Sequence, residues 1–296
     1  MIGLCTYVRK IYVLSNKIAL VPKPNENFLR PFIRWAGGKQ NLVKYLLQNL
    51  PDEENINKYW EPFLGAGSLF FSNGFKNAEI SDVNEHLINA YQKIRNNPVA
   101  IHRRLLYHKR NFTKEYYYQL RHTYNEHLNE NTIEQAARFI FLVHTSFNGI
   151  YRVNAKGEYN VPIGKMNPSL PTLEHLQKIS NKLQDIEIHT RSYEGILSLV
   201  KKGDFIYLDP PYPPLDWNSQ LQQFTSDKFS EEHQIELASF SEKLKKKGCS
   251  VMMSNSKVSM IQKLYNNWNI VEIPVVRYVS CKKERKKIIE LLIMNY

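Results

Sequence analysis

Asp209-Pro210-Pro211-Tyr212 is the sharpest chemical signal in the chain, and it directly follows the apolar run Phe205–Leu208. In open α/β sheets ligands bind beyond the carboxyl ends of the strands, so an acid in that place meets whatever is bound. A carboxylate and a neighbouring backbone carbonyl can both accept hydrogen bonds from one amino group. That matters for a nitrogen such as the amino group of adenine, a poor nucleophile because its lone pair is delocalised into the ring. Two acceptors draw the nitrogen towards tetrahedral geometry and localise the pair. Proline fixes φ and holds the carbonyl rigidly, and an aromatic in the fourth position can stack on a base that has left its helix. Methyl transfer to such a nitrogen then needs in-line approach and preorganised acceptors. No metal and no covalent nucleophile is required. Taken alone, Asp-Pro-Pro is also a proline turn after a strand; the features upstream set this one apart.

In Glu61-Pro62-Phe63-Leu64-Gly65-Ala66-Gly67 two glycines allow a sharp bend and close approach of the backbone to a ligand. No third glycine completes a dinucleotide fingerprint, and there is no G-x-x-x-x-G-K-S/T, so a pyrophosphate is poorly supported. Asp82, fifteen residues after Gly67, ends the next apolar run, where an acid accepts hydrogen bonds from ribose hydroxyls. A nucleoside without phosphates fits, S-adenosylmethionine being the common one. By itself the glycine turn is equally a tight turn and nothing more. Cys5, Cys249 and Cys281 form no C-x-x-C pair, and no cluster has metal-ligand spacing, so no metal is expected.

These residues need strands and helices to carry them. With 296 residues, 43% hydrophobic and 23% charged, the chain is globular and holds one large domain or two. Phe32–Lys39 leads into a helical pattern with Leu42, Leu46 and Leu50 on one face, stopped by Pro51. Strand, glycine turn, helix, strand and acid then follow from Tyr59 to Asp82, the first half of a nucleotide-binding βαβ unit. The pattern resumes at Gly203–Asp209. A helix capped by Ser230 runs to Lys245–Lys247, and strands follow over Cys249–Met253, Ile270–Val276 and Ile288–Met294. Residues 85–184 differ: they are rich in Tyr, His, Asn and Arg, with helical patterns over Leu87–Ile94 and Thr132–Val143. A hairpin is expected there, Ile150–Val153 with Glu158–Val161, turned at Asn154–Gly157. The expected fold is therefore α/β, a Rossmann-like doubly wound sheet over 29–84 and 185–296 with a mostly helical insertion at 85–184. Residues 1–28, whose apolar pieces are broken by Lys17, read as an extension rather than a signal peptide.

Forty Lys and Arg against 28 Asp and Glu give a net charge of +12, which suits a protein that approaches a polyphosphate. Half of that excess lies between Arg95 and Arg121, interleaved with Tyr107, Tyr116, Tyr117 and Tyr118. The plain reading is a solvated helix face; the aromatics favour a nucleic-acid face. No run approaches the ~18 apolar residues of a membrane span, and a reducing, cytoplasmic setting fits the cysteines.

Taken in order, F-I-R-W-A-G-G-K (32–39), E-P-F-L-G-A-G-S (61–68), S-D-V-N (81–84), Phe147–Asn154 with Gly157–Gly164, and D-P-P-Y (209–212) resemble the motifs of the Dam-type DNA adenine methyltransferases, the D12 class of the alpha group. The resemblance covers residues 28–296 and implies a class I fold dependent on S-adenosylmethionine, acting on double-stranded DNA, with the target-recognition domain as the insertion. It implies that Trp35 and Lys39 contact the cofactor together with the loop carrying Phe63, Gly65 and Gly67. Asp82 would take the ribose, Ser192-Tyr193 would lie near the cofactor's adenine, and Asp209 would touch both cofactor and target base, with Pro210 and Tyr212 completing the catalytic set. Phe147 would wedge into the base stack, Asn148, Ile150, Arg152 and Pro162 would read the target, and Arg34 would reach a flanking base. Without the resemblance Phe147 reads as a core aromatic and Pro162 as a turn residue. Relatives often carry Tyr and Lys where Phe147 and Arg34 stand, and Arg differs from Lys in its fork geometry. The implied site is GATC, with longer sites beginning GAT as the competitor and a cognate restriction endonuclease as a partner to look for. An RNA adenine methyltransferase and a DNA-binding protein without catalysis are the alternative functions; the 147–164 segment argues against the first and intact Asp209, Pro210 and Tyr212 against the second.

Overall fold

The computed structural model describes residues 13–14, 17–18, 28–164, 168–213, 229–278 and 285–296. The expected extension over 1–28 lies almost wholly outside the described residues, which give it one short antiparallel pair, β1 (Val13–Leu14) with β2 (Lys17–Ile18). Helix α1 (Val43–Gln48) follows, with Leu42 and Leu46 buried as their spacing predicts. Then come β3 (Tyr59–Glu61), α2 (Ser68–Ser72) and β4 (Ala78–Asp82), in the expected order. The helical layer consists of α3 (Glu85–Asn96), α4 (Pro98–Arg110), α5 (Lys114–Glu126), α6 (Ile133–Thr145) and α7 (Leu173–Leu183). The remaining elements are β5 (Glu187–Thr190), β6 (Phe205–Leu208), α8 (Glu231–Lys246), β7 (Ser250–Ser256), α9 (Ser259–Leu264), β8 (Asn269–Tyr278) and β9 (Arg285–Met294).

Seven strands form one sheet in the order β5-β4-β3-β6-β7-β9-β8; the first five pair in parallel, and β9 runs antiparallel between β7 and β8. The chain builds outward from β3 to β5 and then restarts with β6 on the other side of β3. That reversal opens a crevice at the carboxyl ends of β3 and β6, where such sheets bind ligands. The architecture is mixed α/β, as expected, and consistent with a class I methyltransferase fold.

Burial on both faces explains the unbroken apolar runs of the central strands. Phe205 and Tyr207 enter one core cluster, whereas Ile206 and Leu208 enter the other, as strand alternation requires. The first cluster continues into the helical layer, so sheet and helices share one core. Its centre is α6, buried from Gln135 through Thr145 except at Arg138 and apolar nearly all round. Helix α3 is tied to the sheet edge: Gln92 Nε2 donates to the Ile188 carbonyl (3.2 Å) and Arg95 to that of Ile186 (3.2 Å). On the opposite face Leu237, Phe240 and Leu244 of α8 complete the second cluster. Ser230 caps α8 as predicted, and His233 closes a capping box with it.

The expected hairpin takes another form. The turn at Asn154–Gly157 is present, but an isolated bridge between Val153 and Tyr159 stands in place of two strands. Backbone bonds from the Asn154 N–H to the Glu158 carbonyl (2.9 Å) and from the Asn160 N–H to the Arg152 carbonyl (3.2 Å) flank that bridge, and side chains hold the turn and the outer edge. The Tyr159 N–H donates to Asn125 Oδ1 (2.8 Å), the Val161 carbonyl accepts from Tyr117 Oη (2.9 Å), and Asn154 Oδ1 accepts from the N–H groups of Lys156 and Glu158. No described helix is long and apolar enough to cross a membrane.

Candidate active site

Strand ends deliver the expected residues to one place. A cavity of about 940 Å³ lies over the carboxyl ends of β3, β4 and β6. Trp35, Lys39, Phe63, Gly65 and Gly67 line one side of it, and Asp82, Asp209, Pro210 and Tyr212 also face it, as do Ser192 and Tyr193. Phe63 stacks on Tyr193 at 5.3 Å between ring centroids, which joins the glycine loop to the segment after β5.

The glycine turn is built for close approach. Gly65 and Gly67 have φ of 47° and 67°, in the left-handed region. A Cβ at Gly65 would come 3.0 Å from the Trp35 ring, and one at Gly67 3.0 Å from Tyr91 Oη. Asp82 holds the turn from the next strand: Gly65 N–H donates to its Oδ2 and Asn84 N–H to its Oδ1, both at 3.0 Å. Each carboxylate oxygen keeps accepting capacity for a ligand hydroxyl. Burial pushes the Asp82 carboxyl above its ordinary range, and those backbone N–H bonds pull it back.

Asp209 sits in a more elaborate setting. Lys39 Nζ pairs with its Oδ1 at 2.9 Å, donates to the Gly37 carbonyl (2.9 Å), and lies 4.3 Å over the Tyr212 ring. Ser254 Oγ also donates to Oδ1, at 2.7 Å. The loop that follows is anchored atom by atom: Gln234 Nε2 donates to the Pro211 carbonyl (2.9 Å), Ser256 Oγ to that of Pro213 (3.1 Å), and Tyr212 Oη to Glu290 Oε2 (2.9 Å). Among the described residues, nothing donates to Asp209 Oδ2 or to the Pro210 carbonyl. Those two acceptors are left for a ligand. Desolvation raises the Asp209 carboxyl, opposed by Lys39 and Ser254. In the strand beneath, burial pushes Glu61 up to about 8, with the Tyr59 hydroxyl (2.7 Å) opposing, so it carries a proton at neutral pH.

The residues expected to touch DNA lie outside this cavity, on a neighbouring surface. Arg34 and Asn148 border a second cavity of about 600 Å³, which shares Trp35 with the first. Gly149 (φ 65°) lets the chain back onto Arg34, whose Cβ and Nε would lie 3.2 Å from any Cβ there. Phe147 is 47% exposed, so it is no core aromatic, and its N–H donates to the Pro162 carbonyl at 3.0 Å. Pro162 is itself exposed and Ile150 half-buried. Arg152 Nε donates to Asn160 Oδ1 at 2.8 Å. Tyr151 stacks on Trp35 (5.6 Å, 19°), linking this surface to the cavity. In the basic run the tyrosines divide: Tyr117 is fully buried, Tyr116 and Tyr118 are half-buried, with Tyr116 bonded to His108, and Tyr107 is exposed.

Comparison with known proteins decides the family. The D12 class N6 adenine-specific DNA methyltransferase family matches residues 35–279. This chain belongs to it. Among its relatives are the type II methyltransferase M.MjaIII of Methanocaldococcus jannaschii (38% identical, covering 90% of this chain and 99% of the relative) and M1.LlaDCHI of Lactococcus lactis (37%, 92% and 97%). The DNA adenine methylase of Escherichia coli is 31% identical, over 89% of this chain and 94% of the relative.

Within this methyltransferase, three participants escape the motifs. Ser254 lies within β7 one residue beyond the strand expected as far as Met253, Glu290 stands alone in the apolar run Ile288–Met294, and Phe229 joins Phe63 and Tyr193 at the cavity wall (6.1 and 6.4 Å). A buried acid in an apolar strand demands a partner, which is the signal that Glu290 offered. Elsewhere, Glu79, Glu187 and His189 come within metal-ligand reach of one another, but Lys58 and Arg191 already pair with the two acids.

Proposed function

We infer that this methyltransferase takes S-adenosylmethionine as donor and methylates the N6 amino group of an adenine turned out of duplex DNA, with GATC as its site. The observation that carries the reading is the pair of acceptors with no donor among the described residues, Asp209 Oδ2 and the Pro210 carbonyl, in a loop held in place through the Pro211 and Pro213 carbonyls, Tyr212 Oη and Asp209 Oδ1. An amino group has two N–H donors, and these are two acceptors for it. The cavity also fits the donor. The left-handed glycines keep the turn bare of side chains where a Cβ would collide, and Asp82 has lone pairs to spare for the hydroxyls of a ribose. When bound, S-adenosylmethionine supplies an electrophilic methyl group.

The chain's own residues do the rest. Phe63, Gly65 and Gly67 border the cofactor, Asp82 orients it, and Trp35 closes the turn. Lys39 opposes the upward push of burial on the Asp209 carboxyl and occupies its Oδ1, which leaves Oδ2 to accept from the amino nitrogen. Tyr212, covered by Lys39 on one face, stacks on the base with the other. Phe147 fills the gap in the base stack, Arg34 reads the flanking guanine, and Asn148, Ile150, Arg152 and Pro162 read the rest of the site from the 85–184 recognition domain. Arg103, Lys109 and Arg110 of α4 and Lys114 at the start of α5, unpaired among the described residues, supply phosphate contacts. The 38% and 37% relatives are named type II methyltransferases, which favours a cognate restriction endonuclease on the same site. Plasmid treated with the protein should resist a GATC endonuclease blocked by adenine methylation and become sensitive to one that requires it. Full sensitivity to the blocked enzyme, with methyl groups incorporated elsewhere, would replace GATC by a longer GAT site.

A further inference from the structure

Two side chains outside every motif grip the reactive loop from below. Leu208 pairs with Met253 across β6 and β7, so Asp209 and Ser254 are the next residues along in the same register. Ser254 has one hydroxyl proton and gives it to Asp209 Oδ1 (2.7 Å); Tyr207 Oη, 2.9 Å from Ser254 Oγ, must therefore be the donor in that second bond. The result is a one-way relay, Tyr207 to Ser254 to Asp209, that ends on the carboxylate. Lys39 shares the same oxygen, so rotating the carboxylate would break two charge-assisted bonds at once. Glu290 lies at the centre of the antiparallel insertion, opposite Ser256 on β7 and Ile273 on β8, 5% exposed, and accepts the Tyr212 hydroxyl at 2.9 Å.

We propose that Ser254 and Glu290 are positioning residues for methyl transfer: Ser254 turns Asp209 so that Oδ2 faces the cavity, and Glu290 fixes the Tyr212 ring against which the base stacks. The proposal rests on the reading of Asp209 as the acceptor of the amino group. The groups facing Asp209 are Lys39 before α1, Tyr59 and Glu61 on β3, Tyr207 on β6, Tyr212 in the loop, Ser254 on β7 and Glu290 on β9. Lys39 and Ser254 favour the ionised carboxylate, whereas Glu290 disfavours it. Removing Ser254 and neutralising Glu290 must then move Asp209 in opposite directions, which a merely structural role for either would not do.

The test is the pH profile of kcat for the full chain with saturating S-adenosylmethionine and a GATC duplex. Ser254→Ala should move the acid limb to higher pH and lower kcat along it by roughly tenfold, the loss of one hydrogen bond to a charge, with the KM for S-adenosylmethionine unchanged. Tyr207→Phe, which keeps the ring and removes only the hydroxyl, should move the limb the same way by less, and it carries the test if Ser254→Ala does not fold. Glu290→Gln keeps an oxygen for Tyr212 and should move the limb to lower pH. Variants that share the wild-type limb, or that all shift one way, overturn the proposal. A wild-type protein that transfers no methyl group to adenine overturns instead the reading on which it rests.

Discussion

In the proposed mechanism Asp209 is one of two acceptors for the amino nitrogen, so replacing it by alanine is a loss that falls on the transition state, where that nitrogen is pyramidal. Asp209→Ala should lower kcat by at least about a hundredfold, while DNA binding, supplied by phosphate contacts, largely survives. More than a few per cent of wild-type turnover would remove Asp209 from its role. Asp82→Ala should behave differently, because a ribose contact is made in ground and transition states alike: the KM for S-adenosylmethionine rises first. A fall in kcat with KM unmoved would mean that Asp82 does not hold the ribose. Asp82 also bonds the glycine turn through Gly65 N–H, so part of the effect will be loosening of the loop. The motif residues were legible in the sequence because each group is contiguous, and Glu61–Gly67, Asp82 and Asp209–Tyr212 also sit at strand ends. Ser254 and Glu290 were not, since each is a single polar residue whose partner is 45 or 78 positions away.

The element to which we assign target choice is the 146–164 segment. Its register depends on side chains: Asn154 shapes the turn, Asn125 and Tyr117 take backbone groups, and a Cβ at Gly164 would overlap the Ser146 carbonyl. Held this way, Arg152 stands with one nitrogen bonded to Asn160 and the rest of its fork available for a guanine edge. Arg152→Ala should relax selectivity at the fourth base of GATC, by about 1–3 kcal/mol, and leave the cofactor constants alone. Unchanged selectivity in a competition between GATC and single-substituted duplexes would exclude Arg152 as the reader. A turn here was readable from Asn154 and Gly157; the side-chain anchors from Asn125 and Tyr117 were not, because those partners are 34 and 44 positions away. Likewise α6 announced itself by apolar content, and α3 by its period. In α4 and α5 the buried positions include His108, Tyr117 and Tyr124, whose polar atoms blur an amphipathic pattern. β5 buries only Ile188 and so carries no period at all.

On the scale of the whole molecule, charge governs both stability and substrate approach. Glu61 titrates at 4.5 in an unfolded chain and at about 8 when folded, so the native state binds its proton more tightly. Its contribution to stability is fully present below pH 4.5 and is lost as pH rises through 8. Glu61→Gln cannot ionise, so its Tm relative to the wild type should rise between those pH values, by about ten degrees or more at roughly 2–4 °C per kcal/mol, and level off above. A pH-independent difference in thermal denaturation would contradict a protonated Glu61. The net charge of +12 made a polyanionic partner legible from composition, but not which face meets it; burial of Tyr117 shows that interleaved aromatics were partly core. The most direct test of the whole account is the product itself. Duplex DNA containing GATC, incubated with the protein and methyl-labelled S-adenosylmethionine and digested to nucleosides, should carry its label in N6-methyldeoxyadenosine, and carry none with Asp209→Ala. Label in any other nucleoside, or in RNA while duplex DNA stays unlabelled, would contradict it.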